Sequence, residues 1–203
     1  MASTVPFLTA VAARRSVYAL AKESPIPNSR IVEIVHEALE HCPSPFNVRS
    51  TRAVVIFGEY HSKLWDVAYA NTEKNEGEKA IQALGPKIKA FGAAYGSVLF
   101  FDDQSVYENV PPRAKAVLLS SPAWEDHSSG MHQFTVWTAL ETEGLGCNLQ
   151  HYQAQLEEHV QDTFDVPKNW TFKAQLVFGA PVGAFPEAKP KTGLEESLKV
   201  FGA

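Results

Sequence analysis

Three short stretches carry residue types that could do chemistry: Arg14-Arg15-Ser16-Val17-Tyr18, Pro43-Ser44-Pro45-Phe46-Asn47-Val48-Arg49, and Lys189-Pro190-Lys191. Guanidinium and ammonium groups beside a serine hydroxyl are fixed, charge-assisted donors of the kind a phosphate needs. Ser44 and Asn47, on a loop stiffened by two prolines, offer donors and acceptors to the polar edge of a fused heteroaromatic ring. Each stretch alone has a plainer reading. A basic pair is usually solvated surface, and a Ser-Pro-x-Asn string is usually a cap or turn.

Other constellations are weaker. His36-Glu37 followed by His41 resembles a zinc-protease helix, but the histidines are five apart and do not share a helix face well. Cys147 near Asn148 and His151 could be a thiol nucleophile, yet no local signature supports it, and a buried structural thiol is the expectation. Gly-x-Gly-x-x-Gly, P-loop and Gly-x-Ser-x-Gly strings are missing from the sequence. Gly144-Leu145-Gly146 follows a helical pattern, where a terminating glycine is expected anyway.

The elements that must position these residues can be read from periodicity. An apolar stretch over 4–12 predicts a first helix ending at the basic triplet. Ile31, Ile34, Val35, Ala38 and Leu39 form an amphipathic stripe, closed by Pro43. Ala53–Phe57 reads as a buried strand, followed by a helix with Leu64, Val67 and Ala68 and a polar stretch near 71–77. Ile81, Leu84, Ile88 and Phe91 mark another helix, and 98–101 a second strand. Pro111 and Pro112 suit the first turn of a helix through Leu119.

Residues 130–143 are apolar on more than one face, which predicts a central or interface helix. A short helix over 154–163 precedes a strand in which Phe172, Ala174, Leu176 and Phe178 alternate with Lys173, Gln175 and Val177. The chain from 180 onward reads as an extended tail with too few apolar neighbours of its own, expected to pack on a partner subunit. Three strands separated by helical pairs give a mixed α/β chain rather than a regular βαβ winding. Trp65, Trp124, Trp137 and Trp170 read as core or interface residues, with Trp124 also a candidate for touching substrate.

The chain of 203 residues is long enough for one domain with a sizeable core. Composition is that of an ordinary globular protein, 45% hydrophobic and 20% charged, which sets aside disordered and fibrous classes. A net charge of −5 argues against a protein that wraps nucleic acid. Two cysteines cannot build a disulfide framework, and no apolar run is long enough for a membrane helix. No clear targeting signal is visible, so a cytoplasmic location is expected, with nuclear entry open by size.

In this order and spacing, the motifs resemble those of the nitroreductase family of flavoenzymes, in its short fungal and bacterial branch with an Arg-Arg-Ser-x-Tyr opening. The resemblance covers nearly the whole chain and adds Gly-Leu-Gly-Cys-Asn-Leu-Gln-His-Tyr at 144–152 to the three stretches above. It implies an α+β fold, a three-layer sandwich with a central mixed or antiparallel sheet flanked by helices. It also implies an intertwined homodimer with exchanged C-terminal segments and FMN at the subunit interface, residues 1–203 forming one FMN-binding domain.

By matching positions, Arg14 and Ser16 would hold the phosphate and ribityl chain, with Arg15 beside them and Lys189 and Lys191 joining from the tail. Ser44, Pro45, Phe46 and Asn47 would line the flavin, while Leu149, Gln150 and His151 would lie over its dimethylbenzene-to-N5 side. Many family members place a lysine near flavin N1 and O2 where this chain has Tyr18, so Arg49 or Arg15 would take over that charge, or the potential would fall. Asn71 and Lys74 have the spacing of the family's helical Asn and Lys pair. The expected activity is ping-pong reduction of nitroaromatic or quinone-like small aromatic acceptors by NAD(P)H, with no metal and with His151 a candidate proton donor. The competing readings are a flavin-dependent dehydrogenase or tailoring enzyme for a specific metabolite, and a flavin-binding regulatory protein with little turnover.

Overall fold

The apolar run at 98–101 becomes the centre of a sheet whose two faces are both covered. A computed structural model of the chain describes residues 5–120 and 123–203. The elements run α1 (Phe7–Ala13), β1 (Leu20–Ala21), α2 (Asn28–His41), β2 (Thr51–Phe57), α3 (Gly58–Glu76), α4 (Glu78–Gly92) and β3 (Gly96–Asp103). They continue α5 (Pro112–Leu119), α6 (Ala123–Thr142), β4 (Gly146–Gln150), α7 (Gln153–Phe164), β5 (Trp170–Pro181) and α8 (Leu194–Ser197). Short 3-10 turns occupy Pro45–Asn47 and Gln104–Glu108.

The strands lie in the order β1-β5-β3-β2, with β4 also on β5, and every described pairing is antiparallel. Successive side chains of a strand point to opposite faces, and β3 shows why that makes three layers. Val98 and Phe100 join Ile31, Ile34 and Val35 of α2 and Val136 and Leu140 of α6. Leu99 and Phe101 join Leu64 and Trp65 of α3, Ile88 and Phe91 of α4, and Leu156 and Val160 of α7. The fold is thus an α+β sandwich, as expected, and α6 is its central helix.

Several elements depart from the periodic reading. The polar stretch after residue 70 is not a loop: α3 continues through Glu76, and the chain turns only at Gly77, whose φ of 83° suits glycine. Two strands escaped the pattern because they are short: β1 has two residues, and β4 hides in a Gly-rich motif. In β5 the register shifts opposite Phe100/Phe101, leaving Lys173 as an extra residue. That bulge turns Phe172 to the α3 side, where it stacks on Phe101 with centroids 4.7 Å apart. Gln175 and Val177, the supposed outward positions, are fully buried.

Thr4, at the start of the first expected helix, lies outside the described residues; Phe7–Ala13 is helical. The tail is mostly extended and exposed, with one short helix at Leu194–Ser197 that its composition did not suggest. Among the described residues no helix is long and apolar enough to cross a membrane.

Candidate functional site

The chain leaves α1 at Arg14 and runs against β4. Val17 N–H donates to the Cys147 carbonyl over 2.8 Å, and Asn148 Nδ2 donates to the Val17 carbonyl over 2.8 Å. Gln150 Nε2 in turn donates to Asn148 Oδ1 over 2.8 Å. This approach requires Gly146: a Cβ there would sit 2.8 Å from Leu20 Cδ2 and 2.9 Å from Val17 Cγ1. The structure therefore brings Arg14, Arg15 and Ser16 beside the strand that carries Leu149 and Gln150.

Two side chains of α6 hold this turn. Glu141 accepts the Arg15 N–H over 2.9 Å and the Trp137 indole N–H over 2.8 Å. Burial pushes the Glu141 carboxyl up, against the pull of those hydrogen bonds. The Arg14 guanidinium lies over the Trp137 ring, 4.1 Å from its centroid. Its Nη1 is buried without a partner among the described residues. A buried donor left unpaired is costly, and a phosphate or carboxylate beside this one would complete it.

The Ser44–Arg49 loop forms a second cluster. Asn47 N–H donates to the Ser44 carbonyl and Arg49 N–H to Ser44 Oγ, both over 2.9 Å. Phe46, Asn47 and Arg49 have φ of 51°, 55° and 51°. The left-handed region costs non-glycine residues about 1–2 kcal/mol each, and strain of this kind gathers at ligand sites. Phe46 is exposed and stacks on Trp124 at the start of α6, centroids 5.8 Å apart and planes 14° from parallel. Next in the chain, buried Ser50 donates to Asp102 Oδ2 over 2.7 Å and accepts from the Tyr107 hydroxyl over 3.0 Å.

Burial raises the Asp102 carboxyl despite the Ser50 hydrogen bond, and burial also raises the Tyr107 phenol. A cavity of about 400 Å³ opens beside the loop, lined by Leu39, Val48, Arg49, Thr51, Arg52 and His132.

The two clusters are not together within one chain. Trp137 and Trp124 are thirteen positions apart on α6, about 20 Å along its axis. Lys189 and Lys191 are exposed on the tail, as are Tyr18, and His151 just past β4. Asn71 donates to the Gln155 carbonyl, tying α3 to α7, while Lys74 is exposed, so neither stands in either cluster. Cys147 is fully buried, and burial lifts its thiol well above the usual range, which fits an inert structural cysteine. His36 and His41 are exposed and pair with Glu40 and Glu37, one turn away. Among the described residues no group of three His, Cys, Asp or Glu gathers as metal ligands.

The sequence reading missed the pairing of Trp137 and Glu141 with Arg15. The i,i+4 spacing of Trp137 and Glu141 was the one available signal; their partner lies over 120 residues away.

Residues 11–180 match the model of the nitroreductase family. Nitroreductase FRM2 of Saccharomyces cerevisiae is 36% identical over 191 residues, covering 93% of this chain and 94% of its own. The structure of nitroreductase CinD from Lactococcus lactis in complex with nicotinic acid is 31% identical, covers 97% of this chain and 100% of that one, and superposes with a TM-score of 0.83. CinD in complex with 4-nitrophenol matches with the same identity and coverage, at a TM-score of 0.82. With its three-layer sandwich and its Arg-Arg-Ser turn clamped to the central helix, this chain belongs to the nitroreductase family of oxidoreductases.

Proposed function

We propose that the chain is an FMN-dependent enzyme that takes reducing equivalents from NAD(P)H and passes them to small nitroaromatic or quinone-like acceptors. The observation that carries this is the half-buried Arg14 beside Ser16, whose Nη1 is buried without a partner among the described residues and would be completed by an FMN phosphate. FMN, when bound, supplies the redox chemistry, and the protein binds, orients and tunes it. Arg14 and Ser16 bind the phosphate and ribityl end, and Arg15 fastens the turn. Lys189 and Lys191 add charge from the tail, and the amides of 149–151 meet the ring from β4. His151, exposed just past that strand, is the candidate to pass a proton between solvent and acceptor.

Residues 1–203 act as one FMN-binding unit that is complete only as a homodimer. The separation of the two clusters along α6 supports this, because a second copy can bring its Ser44–Arg49 loop to the Arg14 cluster of the first. Exposed Leu198, Val200 and Phe201 on the tail support it too, since they have no core of their own to join. In that arrangement Ser44, Pro45 and Asn47 line the flavin edge, Arg49 supplies charge in place of the family lysine at Tyr18, and the Phe46–Trp124 pair receives a flat acceptor. CinD, whose solved structures are complexes with nicotinic acid and with 4-nitrophenol, accommodates aromatic rings of this size.

The test is the visible spectrum of the purified protein, followed by anaerobic addition of NADH and then NADPH. Flavin bands that bleach with a nicotinamide are expected. Flavin bands that persist with both would favour a binding role or a different electron donor, and a colourless protein that FMN cannot reconstitute would overturn the proposal.

A further inference from the structure

We propose that Trp137 and Glu141 of α6 are positioning residues for the cofactor phosphate, dividing the labour of the two adjacent arginines so that Arg14 presents its donors while Arg15 anchors the turn. The inference rests on the FMN reading above and concerns this chain's own residues.

The Arg15 peptide is gripped on both sides. Its N–H donates to Glu141 Oε2 over 2.9 Å, and its carbonyl accepts from Trp137 Nε1 over 3.2 Å. The same indole N–H reaches Glu141 Oε1 over 2.8 Å, so the two α6 side chains also fix each other. Arg15 turns its own guanidinium back on the chain: Nη1 donates to the Ala12 and Arg14 carbonyls over 2.7 and 2.8 Å, closing the end of α1. Its Nε is buried without a partner, so part of the group stays available, but its Nη1 is committed.

Arg14 is held differently. Its Cζ lies over the Trp137 ring, 4.1 Å from the centroid, and its Nη1 is buried with no hydrogen-bond partner among the described residues. Stacking on an aromatic face uses the charge of a guanidinium and leaves its in-plane N–H groups free. A cation held over an aromatic ring, with a donor unspent, is preorganised for a phosphate, which lowers the ordering cost of binding. Glu141 forms no ion pair with Arg14; its oxygens are taken by the Arg15 and Trp137 N–H groups. The carboxylate therefore shapes the turn without hydrogen bonding to the Arg14 guanidinium, whose charge it meets only through space.

The experiment uses flavin-stripped full-length protein titrated with FMN and with riboflavin, following quenching of flavin fluorescence. The ratio of the two dissociation constants reports recognition of the phosphate and cancels general damage to the ring site. Trp137→Leu is expected to lower that preference for FMN about tenfold, with riboflavin affinity changed by less than about twofold. Trp137→Phe, which keeps an aromatic face, is expected to retain most of it, and Glu141→Ala to lower it by freeing Arg15. If Trp137→Leu does not fold, Glu141→Ala carries the test. A wild-type preference in the variants, or an equal loss of both ligands, would overturn the positioning role. A wild-type protein that binds riboflavin as tightly as FMN would instead overturn the phosphate assignment beneath it.

Discussion

The Ser50 hydroxyl donates to the buried Asp102 carboxylate over 2.7 Å, which joins the end of the strained Ser44–Arg49 loop to the end of β3. The backbone repeats the link, with Asp103 N–H donating to the Ser50 carbonyl over 2.9 Å. Gln104 Nε2 extends it, reaching Asp102 Oδ1 over 3.0 Å and Glu125 Oε2 over 2.8 Å, next to Trp124. Both members of the Phe46–Trp124 pair thus hang from one polar network. Ser50→Ala would leave Asp102 and Tyr107 each short of a partner in a buried setting. Urea unfolding should show a loss of about 1–3 kcal/mol, and an unchanged midpoint would show that water replaces the hydroxyl.

Trp124→Ala removes one face of the aromatic pair without touching the Arg14 cluster of the same chain, about 20 Å away along α6. With an aromatic acceptor such as 4-nitrophenol, KM should rise about tenfold, the loss of one stacking contact and its buried area. The anaerobic rate of flavin bleaching by the nicotinamide should stay within about twofold of wild type, which places the effect on the acceptor.

Gly146→Ala tests the approach of the Arg-Arg-Ser turn to β4. The new methyl would stand under 3 Å from Leu20 and Val17 side-chain atoms, both buried, so the segment must move away from the strand. Overpacking of this kind costs about 1–3 kcal/mol. The variant should melt at lower temperature and release FMN more readily on dialysis; a Tm and FMN content like those of wild type would mean that the segment adjusts without losing the site.

His61 makes stability depend on pH. It is fully buried, its Nε2 meeting the Phe91 carbonyl at 2.9 Å and its Nδ1 meeting Ser97 Oγ at 3.1 Å. Burial lowers its pKa to about 4, from 6.5 for the free side chain. Between those values the unfolded chain binds a proton that the folded chain does not, so stability falls as pH falls through that window, by about 3 kcal/mol in all. Urea midpoints measured from pH 7.5 to 4.5 should decline in this way, and His61→Gln should decline less steeply. Parallel slopes for the two proteins would remove His61 as the cause.

The sequence alone determined the helices with a clear apolar stripe and the three longer strands, β2, β3 and β5, although β2, read as buried, is mostly half-buried. In α2, four of the five stripe residues are buried and Leu39 is half-buried, because a 3.6-residue period can be satisfied only by one face against a core. Local chemistry also marked Arg14-Arg15-Ser16 and the Pro-Ser-Pro-Phe-Asn loop as candidates, each with a plainer reading as solvated surface or turn. Strand β1, two residues long, has no period to detect, and the Lys173 bulge reverses the facing of Phe172 in a pattern that looked regular.

Which arginine keeps its Nη1 unpaired and which is fastened was settled by long-range packing. Arg15 meets Glu141 across 126 positions of chain, and no window of sequence contains both. The packing also decided that the two candidate stretches lie at opposite halves of α6, because the loop is drawn to Trp124 and Asp102 while the arginines are drawn to Trp137 and Glu141. Long-range hydrogen bonds and ring contacts set these positions. Their energy depends on geometry that forms only once the sheet and its helices have packed.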